Sequence, residues 1–319
     1  MRAMRLHELN AALVLDEIPA PEPGPGEVRL KVEACGVNFA DTLRVAGKYQ
    51  EKAPLPFSPG GEVCGIVDAV GEGAALAPGT RVAAMGGGGF AEYCVVPAAL
   101  CSPVPEGMSP EAAAAFQIAY VTSHMALEHK ARMRPGERLL VLGAAGGVGL
   151  TAVEIGKIMG AEVIACARGP ERLEIARRFG ADHLLDSEAE DIRERCLVLG
   201  GLDVVYDPVG GDQWKAAMRA CRPEARMIPI GFASGDIPQI PANILMVKNI
   251  DVLGLYIGTY RKFRPEVLRD SLSTLMGWFA EGRLKPHISN VLPLAEANEA
   301  LRLLKSREAT GKVVVTPWA

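Results

Sequence analysis

Gly143-Ala144-Ala145-Gly146-Gly147-Val148-Gly149 sets the architecture of this chain, because of what stands on either side of it. Arg138 to Leu142 reads as a short apolar strand, and Val148 to Met159 as a mostly apolar helix. Glycines at such a junction let the backbone approach a pyrophosphate and aim the first N–H groups of the helix at its charge. A glycine run alone also serves a plain tight turn; the strand and helix around this one distinguish the two. Gly143, Ala145, Gly146, Gly147, Val148 and Gly149 are therefore the candidate phosphate-binding residues.

The next strand, Glu162 to Cys166, bears on which nucleotide is bound. It ends about 20 residues past the glycines, where NAD-binding folds place an Asp or Glu on the ribose hydroxyls. This chain has Arg168 there and Arg172 one helical turn on. A carboxylate would repel a 2′-phosphate, whereas a guanidinium pairs with it through charge-assisted bonds. NADPH is favoured over NADH on this ground. The alternative is that both arginines are solvated charges on the helix Pro170 to Phe179.

The length of 319 residues suits two domains. With 49% hydrophobic residues, sizeable cores are feasible, and a net charge of −4 gives no electrostatic footprint for nucleic acid or an anionic membrane. Met1 to His7 lacks the apolar core of a signal peptide, and no run is long enough to span a bilayer. A cytoplasmic protein is expected. The seven cysteines are scattered and never form Cys-x-x-Cys, which points to reduced thiols packed as small hydrophobes.

Outward from the glycine turn, the chain changes character twice. The first third is β-like: Val28 to Ala34 alternates, and Val63 to Val70, Arg81 to Met85 and Phe90 to Val96 read as strands between Pro/Gly clusters. Ser109-Pro110-Glu111 then opens a helix, with Ser109 as N-cap. Strands near 138–142, 162–166, 183–185, 203–206, 225–231 and 250–255 alternate with helices, which specifies a parallel sheet covered on both faces. After Gly258 come two amphipathic stretches, Pro265 to Glu281 and Leu294 to Lys305, and a strand Lys312 to Thr316. The expected fold is α/β: a Rossmann-type doubly wound sheet over 119–257, inserted into a β-rich domain formed by 1–118 and 258–319, with ligand in the cleft.

Several segments resemble one family across nearly the whole chain. They are Ala34-Cys35-Gly36-Val37-Asn38-Phe39-Ala40-Asp41, Pro59-Gly60-Gly61-Glu62, Gly71-Glu72-Gly73, Pro78-Gly79-Thr80-Arg81-Val82, the 136–149 segment, Asp203 to Gly211, and Ala309 to Val313. In order and spacing they resemble the zinc-independent quinone oxidoreductases of the medium-chain dehydrogenase/reductases, related to zeta-crystallin. The resemblance makes the β-rich part a GroES-like catalytic domain. The family usually carries Gln where this chain has Glu154, a departure beyond the phosphate turn. Zinc alcohol dehydrogenases of the same superfamily carry Cys at the position of Asn38 and His at that of Gly61. Asn and Gly supply neither thiolate nor imidazole, and the four-cysteine zinc lobe is missing, so no metal is expected.

Metal-free hydride transfer needs an acceptor that takes hydride at carbon while electron density moves to oxygen, as quinones and α,β-unsaturated carbonyls do. The resemblance implies that Asn38 lies beside the nicotinamide, contacting the cofactor ribose or orienting substrate. Tyr49 is the nearest candidate proton donor, against a plain role as a loop aromatic; relatives often carry another Tyr at the position of Leu43. Arg44 is either a receptor for anionic substrate or a surface charge. By family position, Tyr120 and Thr122 lie under the diphosphate and nicotinamide, while Phe232 and Ser234 meet the carboxamide or ribose. Leu255 and Tyr256 pass beside the nicotinamide, Gly311 and Lys312 approach from the C-terminal piece, and Ser187 stands where relatives place Tyr against the adenosine. Asp207 reads as a turn residue, and His124 and His183 as structural.

The activity so implied is NADPH-dependent reduction of quinones or enones. An enoyl-CoA or acryloyl-CoA reductase is the enzymatic alternative, with Arg44, Lys48 and Lys52 as a basic groove; a non-catalytic NADPH-binding protein is the other. The apolar run Ile250 to Leu255, read as an edge strand, invites pairing with a second subunit, and relatives are commonly dimers. A homodimer is expected.

Overall fold

The computed structural model describes residues 1–318, which form two compact units. Ala119–Lys285 is one, and Met1–Ile118 with the segment from Pro286 onward is the other.

The Ala119–Lys285 unit is built on six parallel strands: Arg138–Leu142, Glu162–Ala167, His183–Asp186, Leu202–Asp207, Cys221–Pro229 and Asp251–Val252. Counted along the chain, their order in the sheet is third, second, first, fourth, fifth, sixth. That is the dinucleotide-fold order, and it reverses where Arg138–Leu142 meets Leu202–Asp207. Leu139 to Leu142 have no exposed surface, as a strand covered on both faces requires. Behind the sheet, Trp214, Ala217 and Met218 of the helix Gly211–Ala220 pack with Leu140, Leu142, Ile164 and Val205.

Two expectations need correction in this unit. The last strand is Asp251–Val252 rather than Ile250 to Leu255. Its neighbour runs out: Leu253 still donates to Met227 O (2.9 Å), but Pro229 has no N–H, and Ile230 gives its own to Asp207 O (2.7 Å). The second division also falls between Lys285 and Pro286 rather than after Ile257. The helices Ile257–Phe263 and Pro265–Ala280 stay with the parallel sheet's unit. Ser271 Oγ lies 2.9 Å from His124 Nδ1, and Trp278 meets the His124 ring edge-on at 5.3 Å.

In the other unit, the long strand Glu27–Val37 organises a seven-stranded sheet. Its first half pairs with Tyr93–Pro97, its last residues with Lys312–Thr316, and most of its length with Glu62–Val70. Alternating burial from Val28 to Ala34 gives way to Cys35–Val37, buried throughout. Gly36 shows why: a Cβ there would stand 2.4 Å from Ala114 O, so backbone packs directly on backbone. Ser109 Oγ accepts from Ala112 N–H (3.2 Å), capping the helix Pro110–His124. No helix among the described residues is long and apolar enough to cross a membrane.

Candidate functional site

The glycine turn connects the first parallel strand to the helix Gly147–Ile158, at the point where strand order reverses. Gly143 has φ +58°, a region that favours glycine. Gly146 donates to Gly143 O (3.0 Å) and precedes the helix as its cap. Gly149 lies against the turn so closely that a Cβ would stand 2.2 Å from Gly143 O and 2.9 Å from Ala144 Cα. The helix start is thus seated on the end of the strand. Its first-turn N–H groups, including those of Gly147 and Val148, have no partner within the helix, which makes the end receptive to an anion. Ser123 supports it from behind: its Oγ donates to Val148 O (3.1 Å) and lies 2.8 Å from both Thr151 Oγ1 and Tyr206 Oη.

The other predicted residues of this unit lie along the same carboxyl-terminal edge of the sheet. Arg168 follows directly on Glu162–Ala167 and Arg172 sits in the first turn of Pro170–Arg178; both are half-buried. Ser187 follows the third strand and donates its N–H to Ala167 O (3.0 Å). Asp207 ends the fourth strand fully buried, its Oδ1 accepting from Val209 N–H (2.6 Å) and Gly210 N–H (2.9 Å). Burial pushes its carboxyl up to about 6, against the pull of those N–H groups. It is a turn-holding residue. Ala233 and Ser234 donate to Pro208 O and Val209 O (3.1 and 2.9 Å), tying the Phe232 loop to that turn, and Ser234 Oγ bonds within its own loop to Asp236. Leu255 and Tyr256 follow the edge strand, half-buried.

Tyr120 lies in the interior of its unit. It is 2% exposed, and its hydroxyl donates to Glu154 Oε2 (2.7 Å), so that group is spent inside the unit. Thr122, two residues on in the same helix, is half-buried. His124 is buried against Ser271, which lowers its basicity, and His183 Nε2 lies 2.8 Å from Glu162 Oε1. Both are structural.

In the other unit, Asn38 and Lys312 are brought together. Lys312 Nζ donates to Asn38 Oδ1 (2.6 Å) and to Glu62 Oε2 (3.1 Å), and Asn38 Nδ2 donates to the same Glu62 oxygen (3.0 Å). The remaining Glu62 oxygen accepts from Ile118 N–H (2.7 Å). Glu62 has no exposed surface. Asp41 is 2% exposed and accepts from Asn38 N–H (2.8 Å) and Gly60 N–H (3.1 Å), fixing the start of the helix Phe39–Val45. Burial raises its carboxyl, and those two N–H groups oppose the rise. Gly311 has φ +71°, and a Cβ there would stand 2.4 Å from His287 Cδ2. Glu62 and Asp41 were not singled out from sequence. The available signal was a carboxylate opening the strand Glu62–Val70, directly before the buried Val63 and Cys64.

Tyr49 lies in the loop that follows the helix Phe39–Val45. The Arg44 guanidinium lies over its ring at 4.9 Å and also pairs with Glu51 (3.3 Å), while Lys52 Nζ donates to Gly47 O.

Among the described residues, no group of three or more His, Cys, Asp or Glu side chains is arranged to hold a metal ion. At Asn38, Nδ2 donates to Glu62 and Oδ1 accepts from the Lys312 ammonium. All seven cysteines are free, six of them buried, and burial pushes the thiols of Cys64 and Cys94 up to about 12.

Comparison with known proteins finds relatives of both units. Residues 24–106 match the alcohol dehydrogenase GroES-like domain, and residues 147–273 match the family described as zinc-binding dehydrogenase. A quinone oxidoreductase-like protein 2 homolog of Nematostella vectensis is 42% identical over 98% of this chain and 88% of its own length. The quinone oxidoreductase of Thermus thermophilus, also solved in complex with NADPH, is 37% identical with a TM-score of 0.89 over 99% of this chain and 100% of that one. Escherichia coli quinone oxidoreductase, solved in complex with NADPH, is 28% identical with a TM-score of 0.92 over 99% and 100%. With that identity carried along nearly its full length, the chain belongs to the quinone oxidoreductase family of the medium-chain dehydrogenase/reductases.

Proposed function

We propose that the protein is an NADPH-dependent oxidoreductase that reduces quinones or related α,β-unsaturated carbonyls without a metal ion. One observation carries the nucleotide: a glycine turn at the strand-order reversal, with Arg168 in place of an acid at the end of the second strand. NADPH, when bound, supplies the hydride. In this reading, the backbone from Gly143 to Gly149 and the helix N–H groups hold the pyrophosphate. Arg168 and Arg172 pair with the 2′-phosphate through charge-assisted bonds, and Ser187 borders the adenosine. Thr122, Phe232, Ser234, Leu255 and Tyr256 border the nicotinamide half; Tyr120 shapes that region through packing, since its hydroxyl is committed to Glu154. Asn38 and Gly311 approach the nicotinamide ribose. Tyr49 is the candidate proton donor to the reduced oxygen.

Metal independence is supported by the side chains themselves, since Asn38 and Gly61 replace a thiolate and an imidazole. The homologues named as quinone oxidoreductases support the acceptor class. A CoA thioester is less well served: of the three cations proposed for its phosphates, Arg44 is paired with Glu51 and Lys52 with Gly47 O. The functional unit proposed is a homodimer. The test is steady-state oxidation of NADPH and NADH with 1,4-benzoquinone, a simple enone and acryloyl-CoA. The expected result is turnover with NADPH and the quinone or enone. The reading is lost if kcat/KM is greatest for the thioester, or if no acceptor turns over.

A further inference from the structure

We propose that Glu62 is a positioning residue: together with Lys312 it locks the Asn38 carboxamide in one orientation, so that Asn38 meets its ligand as a hydrogen-bond acceptor and not as a donor. The proposal deepens the function given above and rests on it for the ligand, a hydroxyl of the bound nucleotide.

An ammonium has three donors, and Lys312 spends them on Asn38 Oδ1 (2.6 Å), Glu62 Oε2 (3.1 Å) and Val37 O (3.4 Å). It keeps none for a phosphate, although the family resemblance implies that it approaches the cofactor. The two N–H bonds of Asn38 go to Glu62 Oε2 (3.0 Å) and Gly36 O (3.4 Å). What Asn38 retains is the second lone pair of Oδ1, on a side chain that is only half-buried. A carboxamide is nearly isosteric end for end, and here charge chooses between the ends. Turning it over would set NH₂ against the ammonium and C=O against the carboxylate.

Glu62 is what makes the arrangement hold. Its other oxygen is anchored by Ile118 N–H (2.7 Å), and it has no exposed surface. Gly36 leaves it room, since a Cβ at that position would stand 3.0 Å from Glu62 Oε2. A buried ion pair is a poor source of net stability, because desolvation offsets the attraction. The role inferred here is orientation.

The test is a double-mutant cycle on the full chain, with NADPH affinity measured by calorimetry. N38A and E62Q are each expected to weaken binding by roughly tenfold, the worth of one hydrogen bond in a polar site. The combination E62Q/N38A should bind no more weakly than N38A alone, because Glu62 acts through Asn38. E62Q strands a buried ammonium, so E62Q/K312M, which removes both charges, is measured beside it and should show the same loss. A merely structural Glu62 would lower Tm and multiply the loss in the N38A background, and that result overturns the proposal. A second readout needs no nucleotide: the side-chain amide protons of Asn38 should exchange slowly in the free wild-type protein and rapidly in E62Q/K312M. Slow exchange in a wild-type protein that binds no NADPH would defeat the nucleotide reading while leaving the lock intact. Rapid exchange in a protein that binds NADPH would defeat the lock.

Discussion

The hydroxyl of Tyr120 donates to Glu154 Oε2 over 2.7 Å, and the other oxygen of Glu154 accepts from Lys285 N–H, also at 2.7 Å. Glu154 stands on the helix that begins at the glycine turn, so it ties that helix to Pro110–His124 on one side and to the chain near Lys285 on the other. Both side chains are buried, and burial raises the carboxyl of Glu154 and the phenol of Tyr120 above their ordinary values. The position where relatives usually carry Gln is thus a structural tie in this protein.

Tyr120→Phe removes the donor and leaves a buried carboxylate oxygen unpaired. A hydrogen bond to a charged group is worth about 1.5–3 kcal/mol, and the variant should lose that much stability in urea unfolding. A loss below about 0.5 kcal/mol would show that the bond contributes nothing net.

Asp207 gives the protein a pH dependence of known sign. Its folded value of about 6 lies above the ordinary 3.8 because the carboxyl is buried. A raised folded value means that the contribution to stability is present below 3.8 and is lost as pH rises through 6. The whole shift corresponds to about 3 kcal/mol. Asp207→Asn stays neutral throughout and keeps an oxygen for the Val209 and Gly210 N–H groups. Between about pH 4 and about pH 7, the unfolding free energy of the wild type should therefore fall by roughly 2 kcal/mol relative to the variant, most of the whole shift. A constant difference across that range would refute the assignment of a raised carboxyl.

Much of the Ala119–Lys285 unit was legible because a doubly covered parallel sheet writes its strands as continuous apolar runs. Arg138–Leu142 and Lys312–Thr316 fall where the sequence pattern puts them, and Ser109 caps the helix it was expected to cap. The end of the sheet was not legible. Ile250 to Leu255 is apolar enough for a strand, but the length of an edge strand is set by its neighbour, and Pro229 stops that neighbour. Nor does the amphipathic pattern of Pro265–Ala280 say which surface its apolar face will meet; Ser271 and Trp278 meet His124. Glu62 was hidden for a related reason. Its partner Lys312 lies 250 positions away, and nothing local to either residue announces the pair.

The glycine turn separates a folding role from a binding role. Gly149→Ala puts a methyl group 2.2 Å from Gly143 O, which only a shift of the helix relieves. A loss of roughly 1–3 kcal/mol is expected, read as a lower urea midpoint. Gly146 is different. Its φ of −82° is ordinary and its Cβ would meet only Gly143 O, at 3.3 Å. Gly146→Val should stay folded, within about 1 kcal/mol of wild type, yet lose measurable affinity for NADPH and NADH, because the branched side chain fills the space beside the helix N-terminus. Retained affinity in a folded Gly146→Val protein would remove the turn from nucleotide binding.

In the proposed function, Arg168 decides the choice between the two nicotinamide nucleotides. It stands directly after Ala167, at the carboxyl end of the second strand, with Arg172 in the helix that follows. Arg168→Asp exchanges a charge-assisted partner of the 2′-phosphate for a like charge, and restores an acceptor for a ribose hydroxyl. One such pair is worth about 1.5–3 kcal/mol, or roughly 10- to 100-fold. KM for NADPH should rise by that factor or more, while KM for NADH changes little or falls. The comparison uses one acceptor and both nucleotides, so a general loss of activity cannot imitate the result. Equal changes in the two KM values would take Arg168 out of the selector role and leave it a surface cation on the loop before Pro170.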